Sequence, residues 1–522
     1  MAHFRFRRSF GNVGTRRFRG ARPLGSTPAF SPEATNYFSR LDAAGDTTYV
    51  DYKQPLANYI DSLVSLGGAY WDDMKSAASF VGVGIQGVTV PLRDGMTVPT
   101  QNNFVEGDLN QLTGLKGDAS TKYLSTGVNE GSLSINDSSI SVYLTTDRDV
   151  TITSSYIGGT IGVFAIVDNA TGFRSRHMSS SLKTNGTSTA VGGIIGISRD
   201  NSSDYDWRDV DANGTNIDPS TAQGNSDVEV FASNGGNFLC SARLATYHAG
   251  LALDLATLEG LQDTLITEIA AIPILDVYPN AAAAYSLRAL SSSFASTAVV
   301  RVRRDSDNAE LDFTATEVSD GTMLTWVGTG GTDNGFVETW YDQSGNGNDA
   351  IQLTAGSQPK IVSAGVAIVE NGKPTVEFNL DTLLFDSSIN NTASTIIAIA
   401  ELYDQPLLGN SGSRSFFNPF GTSVWFQQGG GKDEFTGFSN AGQVLAFWYR
   451  DGSNPSDLYE NGAALTRSVS GISNQVGVHD GIGTVSGRPF SGSLQELIIY
   501  STDESTNRTG IESNINNVYD IY

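Results

Sequence analysis

A chain of 522 residues with 39% hydrophobic and only 17% charged residues is too apolar for a disordered protein and too poor in charge for a long coiled coil. At roughly 100–250 residues per domain this length predicts two or three domains. Its 57 glycines, with abundant Ser, Thr and Asn and a net charge of −24, suit short strands joined by turns.

The charge is unevenly spread. Residues 1–22 hold Arg5, Arg7, Arg8, Arg16, Arg17, Arg19 and Arg22 and no acid, which leaves the other 500 residues with 25 bases against 56 acids. Phe4, Phe6, Phe10 and Phe18 interleave with the arginines, while Gly11, Gly14, Gly20 and Pro23 break any continuous helix. Such an arm finds no partner within itself, so it is expected to anchor on another protein. A bare unstructured terminus and contact with nucleic-acid phosphates are the alternatives, and the acidic body argues against a polyanion as main partner. No apolar h-region follows the arginines, and no apolar run approaches the ~18 residues of a membrane span. A soluble chain without secretory address or membrane span is the expectation.

Residues 24–50, with Pro28 and Pro32, read as a linker. Over 54–80 a helix is predicted from Leu56, Tyr59, Ile60, Leu63, Val64 and Leu66, interrupted at Gly67 and Gly68 and resuming through Tyr70, Met74 and Ala77. Strand-like runs follow at 88–91, 133–135, 140–145, 150–154, 161–167, 190–197, 228–232 and 238–244, separated by turn signals such as Asp94-Gly95 and Asn185-Gly186. A helix over 254–272, with Leu255, Leu258, Leu261, Leu265, Ile266 and Ile269 on one side, closes this half. The second half repeats the layout: a short helical opening at 281–294, then strands at 299–303, 337–341, 361–362, 375–379, 395–401, 423–427, 444–449, 457–459 and 494–500. A last helix over 505–519 places Arg508, Glu512 and Asn516 on one face. The pattern predicts an all-β fold of two tandem antiparallel β-sandwiches of the jelly-roll kind, since no 10–15-residue helices alternate with the strands. The segments are a basic arm and linker (1–50), a first sandwich with flanking helices (51–275) and a second (276–522).

Two stretches of the second half are specific. One runs Ala284-Tyr285-Ser286-Leu287-Arg288-Ala289-Leu290 and on to Val300-Arg301-Val302-Arg303-Arg304; the other is Thr339-Trp340-Tyr341-Asp342-Gln343-Ser344-Gly345-Asn346-Gly347-Asn348-Asp349-Ala350. Both resemble the opening of the catalytic domain of arabinofuranosidase B-type glycosidases, a concanavalin/laminin-G-like jelly roll. Asp457-Leu458-Tyr459-Glu460-Asn461-Gly462 and Gly492-Ser493-Leu494-Gln495-Glu496-Leu497 resemble later strands of the same class, so the likeness covers roughly residues 280–522. More weakly, Thr113-Gly114-Leu115-Lys116-Gly117-Asp118, with Arg243, Tyr247, Gly250 and Leu253, is similar to laminin-G-like modules of bacteriophage virion proteins.

The resemblance implies a scaffold without the family's catalysis. A retaining glycosidase needs two carboxyl groups about 5–5.5 Å apart. The family's paired cysteines are missing; Glu401 and Asp404 stand outside its nucleophile pattern, and of its acid turn only a displaced Asp480, beside His479, remains. No catalytic residue and no metal ligand is therefore assigned. Asp342 reads as a turn cap, and Asp204, Asp206, Asp209 and Asp211 around Trp207 as a solvated acidic loop; a weak Ca²⁺ site is the sole cofactor these acids suggest. Trp207, Trp425 and Asp480 are the possible glycan contacts. Trp448 fits a core position better, His3, His177 and His248 lack a second ligand, and Cys240 reads as a small buried residue in a chain with no disulfide.

The expected function is that of a bacteriophage virion structural protein, a tail fibre, appendage or head decoration, assembled in the host cytoplasm. Its partners would be copies of itself and adaptor, tail or capsid proteins, with host surface glycans as possible ligands. A polysaccharide-active glycoside hydrolase or free lectin on the arabinofuranosidase fold is the alternative. A head decoration whose arm reaches the packaged genome is a third.

Overall fold

The computed structural model describes residues 30–522 except 150–152, 161–163, 169–171, 187, 234, 329–330, 332, 403–405, 411–417, 421, 429–430, 440–441, 454–455, 472–475 and 485–487. The arm residues Arg5, Arg7, Arg8, Arg16, Arg17, Arg19, Arg22, Phe4, Phe6 and Phe10 lie outside the described residues, as do His3 and Asp404.

Every strand pairing between the named strands is antiparallel, as the short, turn-punctuated runs require. In the first half an eight-stranded sheet runs in the order Ala212–Ile217, Asp204–Asp209, Gly193–Arg199, Ser138–Leu144, Arg243–Gly250, Gly114–Lys116, Leu109–Asn110, with Met74–Ser79 also on Arg243–Gly250. A seven-stranded sheet faces it, and Ile140, Val142, Ile166, Phe173 and Tyr205 fill the space between. Ser138–Leu144 pairs with Gly193–Arg199 and Arg243–Gly250, both distant in sequence, which is the crossover signature of a Greek-key sandwich. In the second half a sixteen-stranded sheet carries Lys360–Ser363, Val376–Asp381, Phe490–Tyr500, Ser394–Leu402 and Gln443–Arg450 as consecutive neighbours, with a separate four-stranded sheet from Asn418–Phe420 to Thr466–Val469.

Three helices fall where the apolar period places them. Lys53–Leu66 buries Leu56, Tyr59, Ile60 and Leu63 and stops at Gly67, whose φ of +59° no β-carbon favours. Leu255–Ala270 lays Leu255, Leu258, Leu265 and Ile269 on the eight-stranded sheet, so close that a β-carbon at Gly196 would stand 2.8 Å from Leu255 Cδ2. Arg508–Tyr519 sets Ile511, Ile515 and Tyr519 against Ile397, Leu445 and Ile498 on the outer face of the large sheet. On that helix Arg508 and Glu512, on the common face read from the sequence, form an i,i+4 ion pair.

Elsewhere tertiary context overrides the local reading. Residues 24–50 are not all linker: Pro32–Ala43 is a helix, Pro32 sitting in its first turn and Ser31 Oγ accepting from the Ala34 amide at 3.1 Å. Its Tyr37, Phe38 and Leu41 are buried in the first core. The resumed helix through Met74 and Ala77 is instead the strand Met74–Ser79, paired with Arg243–Gly250. The alanine-rich opening of the second half is the strand Ala281–Ser286, because small side chains fit between the large sheet's central strand Phe490–Tyr500 and the cores on either face. The run at 88–91 holds a 3₁₀ turn, Gly87–Thr89, and 133–135 lies in a tight turn with a Ser134–Asp137 bridge.

Candidate carbohydrate-binding site

The acidic stretch around Trp207 is not a loop. It forms the strand Asp204–Asp209, paired on one side with Gly193–Arg199 and on the other with Ala212–Ile217. Alternation buries Tyr205 and Asp209 and exposes Asp206. Buried Asp209 accepts from Arg148 Nη2 at 3.0 Å; burial raises its carboxyl pKa, against the pull of that guanidinium. Asp204 is held by Ser203 Oγ at 2.6 Å and Asn201 Nδ2 at 2.9 Å, and these bonds lower its pKa. Among the described residues no three His, Cys, Asp or Glu side chains are grouped to hold a metal ion.

Trp207 stands opposite Gly214 in the hairpin register. A β-carbon on Gly214 would lie 3.0 Å from Trp207 Cζ2, so the indole rests on bare backbone, with Phe173 at 5.9 Å between ring centroids behind it. On the other face of the strand, where Asp206 and Arg208 point, a cavity of about 560 Å³ lies between this hairpin and the start of Leu255–Ala270. Asp200, Asp206, Asn213 and Asp254 line it. Asp206 Oδ1 accepts from Thr215 Oγ1 at 2.6 Å. Asp254 caps the helix, accepting from the Ala256 amide at 3.0 Å and from Thr257 Oγ1 at 2.6 Å; the latter bond leads in holding its carboxyl below the usual range. Arg208 reaches Glu259 on the helix and so ties the hairpin to it. The result is a cavity with several fixed hydrogen-bond acceptors on the helix-facing side, a lining that suits polyhydroxylated ligands, while Trp207 packs against Phe173 on the side facing the other sheet.

The other two glycan candidates stand apart from this cavity, in different sheets. Trp425 is half-buried, and Lys432 Nζ lies over its ring at 4.1 Å, so one face is already occupied. Asp480 accepts from Ser388 Oγ at 2.6 Å. Its neighbour His479 points to the opposite side of the strand Gly477–Ile482 and is buried, with a pKa lowered to about 4 chiefly by burial, so the two form no acid–base pair. Trp448 is fully buried and stacks on Phe426 at 5.4 Å, a core position. His177 and His248 are buried, each with a pKa depressed to about 3 by desolvation. Cys240 is a buried free thiol, pushed up to about 12 by burial. Asp342 caps its turn, accepting from the Ser344 amide at 2.9 Å and the Asn348 amide at 3.0 Å. Sequence reasoning missed Gly214, Asn213 and Asp254; Asp254 carried a signal, being an Asp directly before an apolar helical run.

No family model matches the chain, and no curated protein matches it. Among solved structures it is similar to a GH54 a-l-arabinofuranosidase soaked with a cyclic sulfate inhibitor, at 16% identity and a TM-score of 0.32, over 45% of this chain and 63% of that one. The chain thus spans less than two thirds of the arabinofuranosidase. It is also similar to the binding domain of Paraclostridial Mosquitocidal Protein 1, at 9% identity and a TM-score of 0.30, covering 77% and 92% of the two chains. The receptor binding domain of botulinum neurotoxin C/D mosaic serotype matches at 9% identity and a TM-score of 0.30, over 85% and 95%. Each is too distant in sequence and too partial in superposition to transfer a site.

Proposed function

We propose that this chain is a non-catalytic carbohydrate-binding protein of a bacteriophage particle, with sandwiches at 51–275 and 276–522 that present the binding surface and an arginine-rich arm that anchors them to other virion proteins. One observation carries the binding role: the cavity of about 560 Å³ beside the Asp204–Ile217 hairpin, where Asp200, Asp206, Asn213 and Asp254 gather carboxylate and amide groups, a volume suited to a short oligosaccharide. Several copies on one particle would sum weak contacts into avidity.

The test is binding of the purified chain to bacterial surface polysaccharides. Asp206→Ala is expected to weaken binding about tenfold or more, and Asn213→Ala to weaken it by removing an amide from the cavity, with melting temperatures confirming that both variants fold. Undiminished binding by both variants would remove the site. The virion placement rests on the sequence resemblance and on the arm. Deleting residues 1–22 is expected to leave folded sandwiches that no longer join particles. A hydrolase reading keeps Asp480 as its acid, and turnover of arabinan or aryl arabinofuranosides, abolished by Asp480→Asn, would replace the binding role with catalysis.

A further inference from the structure

The second half carries a row of polar residues that no part of the binding reading uses. Across five neighbouring strands of the large sheet the register aligns Lys360 with Glu377, Glu377 with Ser493, Ser493 with Glu401, and Glu401 with Gln443. Two residues along the same face, Ile399 and Leu445 pack in the core under Arg508–Tyr519, so the row begins where that apolar cover stops. The hairpin Val369–Pro374 closes the row from above: Gln495 Nε2 donates to the carbonyls of Glu370 at 3.1 Å and Lys373 at 3.0 Å. Together they bound a cleft of about 580 Å³ lined by Glu370, Glu377, Asp381 and Glu401, with Lys360 the one base.

Of these acids Asp381 is compensated, accepting from the Asn379 amide at 2.8 Å with Lys360 acting against its burial; Glu370, Glu377 and Glu401 have less. Among the described residues none of the four enters an ion pair. The Glu370 pKa is raised by burial first and then by Glu401 and Glu377, so the carboxylates press on one another. Between them Ser493 is only 5% exposed, and its Oγ has no hydrogen-bond partner although it lines the cleft. Glu377 and Glu401 flank Ser493 two strand spacings apart, about 10 Å between backbones. That span suits planar, multi-donor cations held between carboxylates better than one metal ion.

We infer that the cleft binds guanidinium groups, and that its occupant is the arginine-rich segment 1–22 of the same molecule. Charge complementarity selects it: seven arginines without an acid face a cleft of four carboxylates and one lysine. The 29 residues preceding Phe30 reach up to about 100 Å when extended, and a tethered segment acts at millimolar effective concentration, which favours its own molecule over a second copy. The arm is thereby parked before it meets a partner. This inference is independent of glycan binding at the cavity beside Asp206 and Asp254.

Limited trypsinolysis of the full chain tests it, reading the rate of cleavage within residues 1–22. Glu377→Gln/Glu401→Gln is expected to speed that cleavage about tenfold at low salt while circular dichroism shows the body still folded, whereas the charge-matched Glu310→Gln/Asp227→Asn leaves the rate unchanged. A full chain whose seven arm arginines are serine should bind a synthetic peptide of residues 1–22 in calorimetry, and lose that binding when the cleft substitutions are added. Equal cleavage rates with and without Glu377 and Glu401 would overturn the proposal. So would protection that appears only with dimers in sedimentation, which would make a second copy the source.

Discussion

Each half of the molecule lays a helix on the outer face of a sheet, and the two covers differ in reach. Leu255–Ala270 has 16 residues, about 24 Å, and three polar side chains it turns toward the sheet find partners there. Glu259 accepts from the Ile194 amide at 3.1 Å and from Arg208, Asp263 accepts from Tyr143 at 2.7 Å, and Gln262 donates to Thr246 at 2.7 Å. Arg508–Tyr519 has 12 residues, about 18 Å, and the sheet runs on past it. Where the shorter helix ends, Glu377, Ser493 and Glu401 stand without the partners that the first half supplies. Ser493 thus keeps an unmatched hydroxyl at the edge of an open cleft, a place a ligand can reach.

The comparison breaks most severely at its best-matched buried site. Arg148 bridges two buried carboxylates, Asp168 at 2.8 Å and Asp209 at 3.0 Å. Arg148→Met strands both, and urea unfolding should register a loss of about 3–5 kcal/mol. A loss below 1 kcal/mol would mean that these pairs are not buried as described. Beneath the longer helix, Glu259→Leu leaves the Ile194 amide unsatisfied and frees Arg208, with an expected loss of about 2–3 kcal/mol by the same measurement.

The shorter helix gives a pH test. Glu512 is raised to about 7, mainly by burial and against Arg508. A carboxyl with a folded pKa above its unfolded value binds protons more tightly when folded, so its stability contribution falls as pH rises from about 4.5 to about 7. Relative to Glu512→Gln, the wild-type chain should lose about 2 kcal/mol between pH 5 and pH 8, read from denaturant midpoints; parallel curves would refute the buried state of Glu512. The smallest effect has the opposite sign. In a chain lacking residues 1–22, so that no arm arginine pairs with the cleft, Glu377→Gln/Glu401→Gln relieves like-charge repulsion across Ser493 and should raise stability by at most about 1 kcal/mol at neutral pH, less in high salt. A loss of stability there would show that the two carboxylates are matched after all.

Much of the fold was legible from residue pattern. The strands around Ile140, Ile396 and Val444 and the helices that bury Leu56, Leu258 and Ile515 follow their apolar spacing. The failures share one cause. Pro32 and Ser31 are helix starters as well as linker residues, and Ala281–Ser286 has helix-forming composition in a strand-forming place. Of the candidate site, Trp207 was readable as an aromatic amid acids and Asp254 as a helix cap, but the place of Gly214 in the hairpin and of Asp254 beside it was not. Their value lies in lying across a hairpin and at a helix start beside it.

Composition and spacing alone determined that this is an antiparallel β protein without disulfides, acidic in its body and basic in residues 1–22, because alternation and local charge are properties of neighbours in the chain. Only the closed sheets decided that Glu377, Ser493 and Glu401 share one row and that an indole lies on Gly214. The residues of that row lie up to 116 positions apart, as Glu377 and Ser493 do, and the register that joins them is set by burying the apolar faces on either side of the strands.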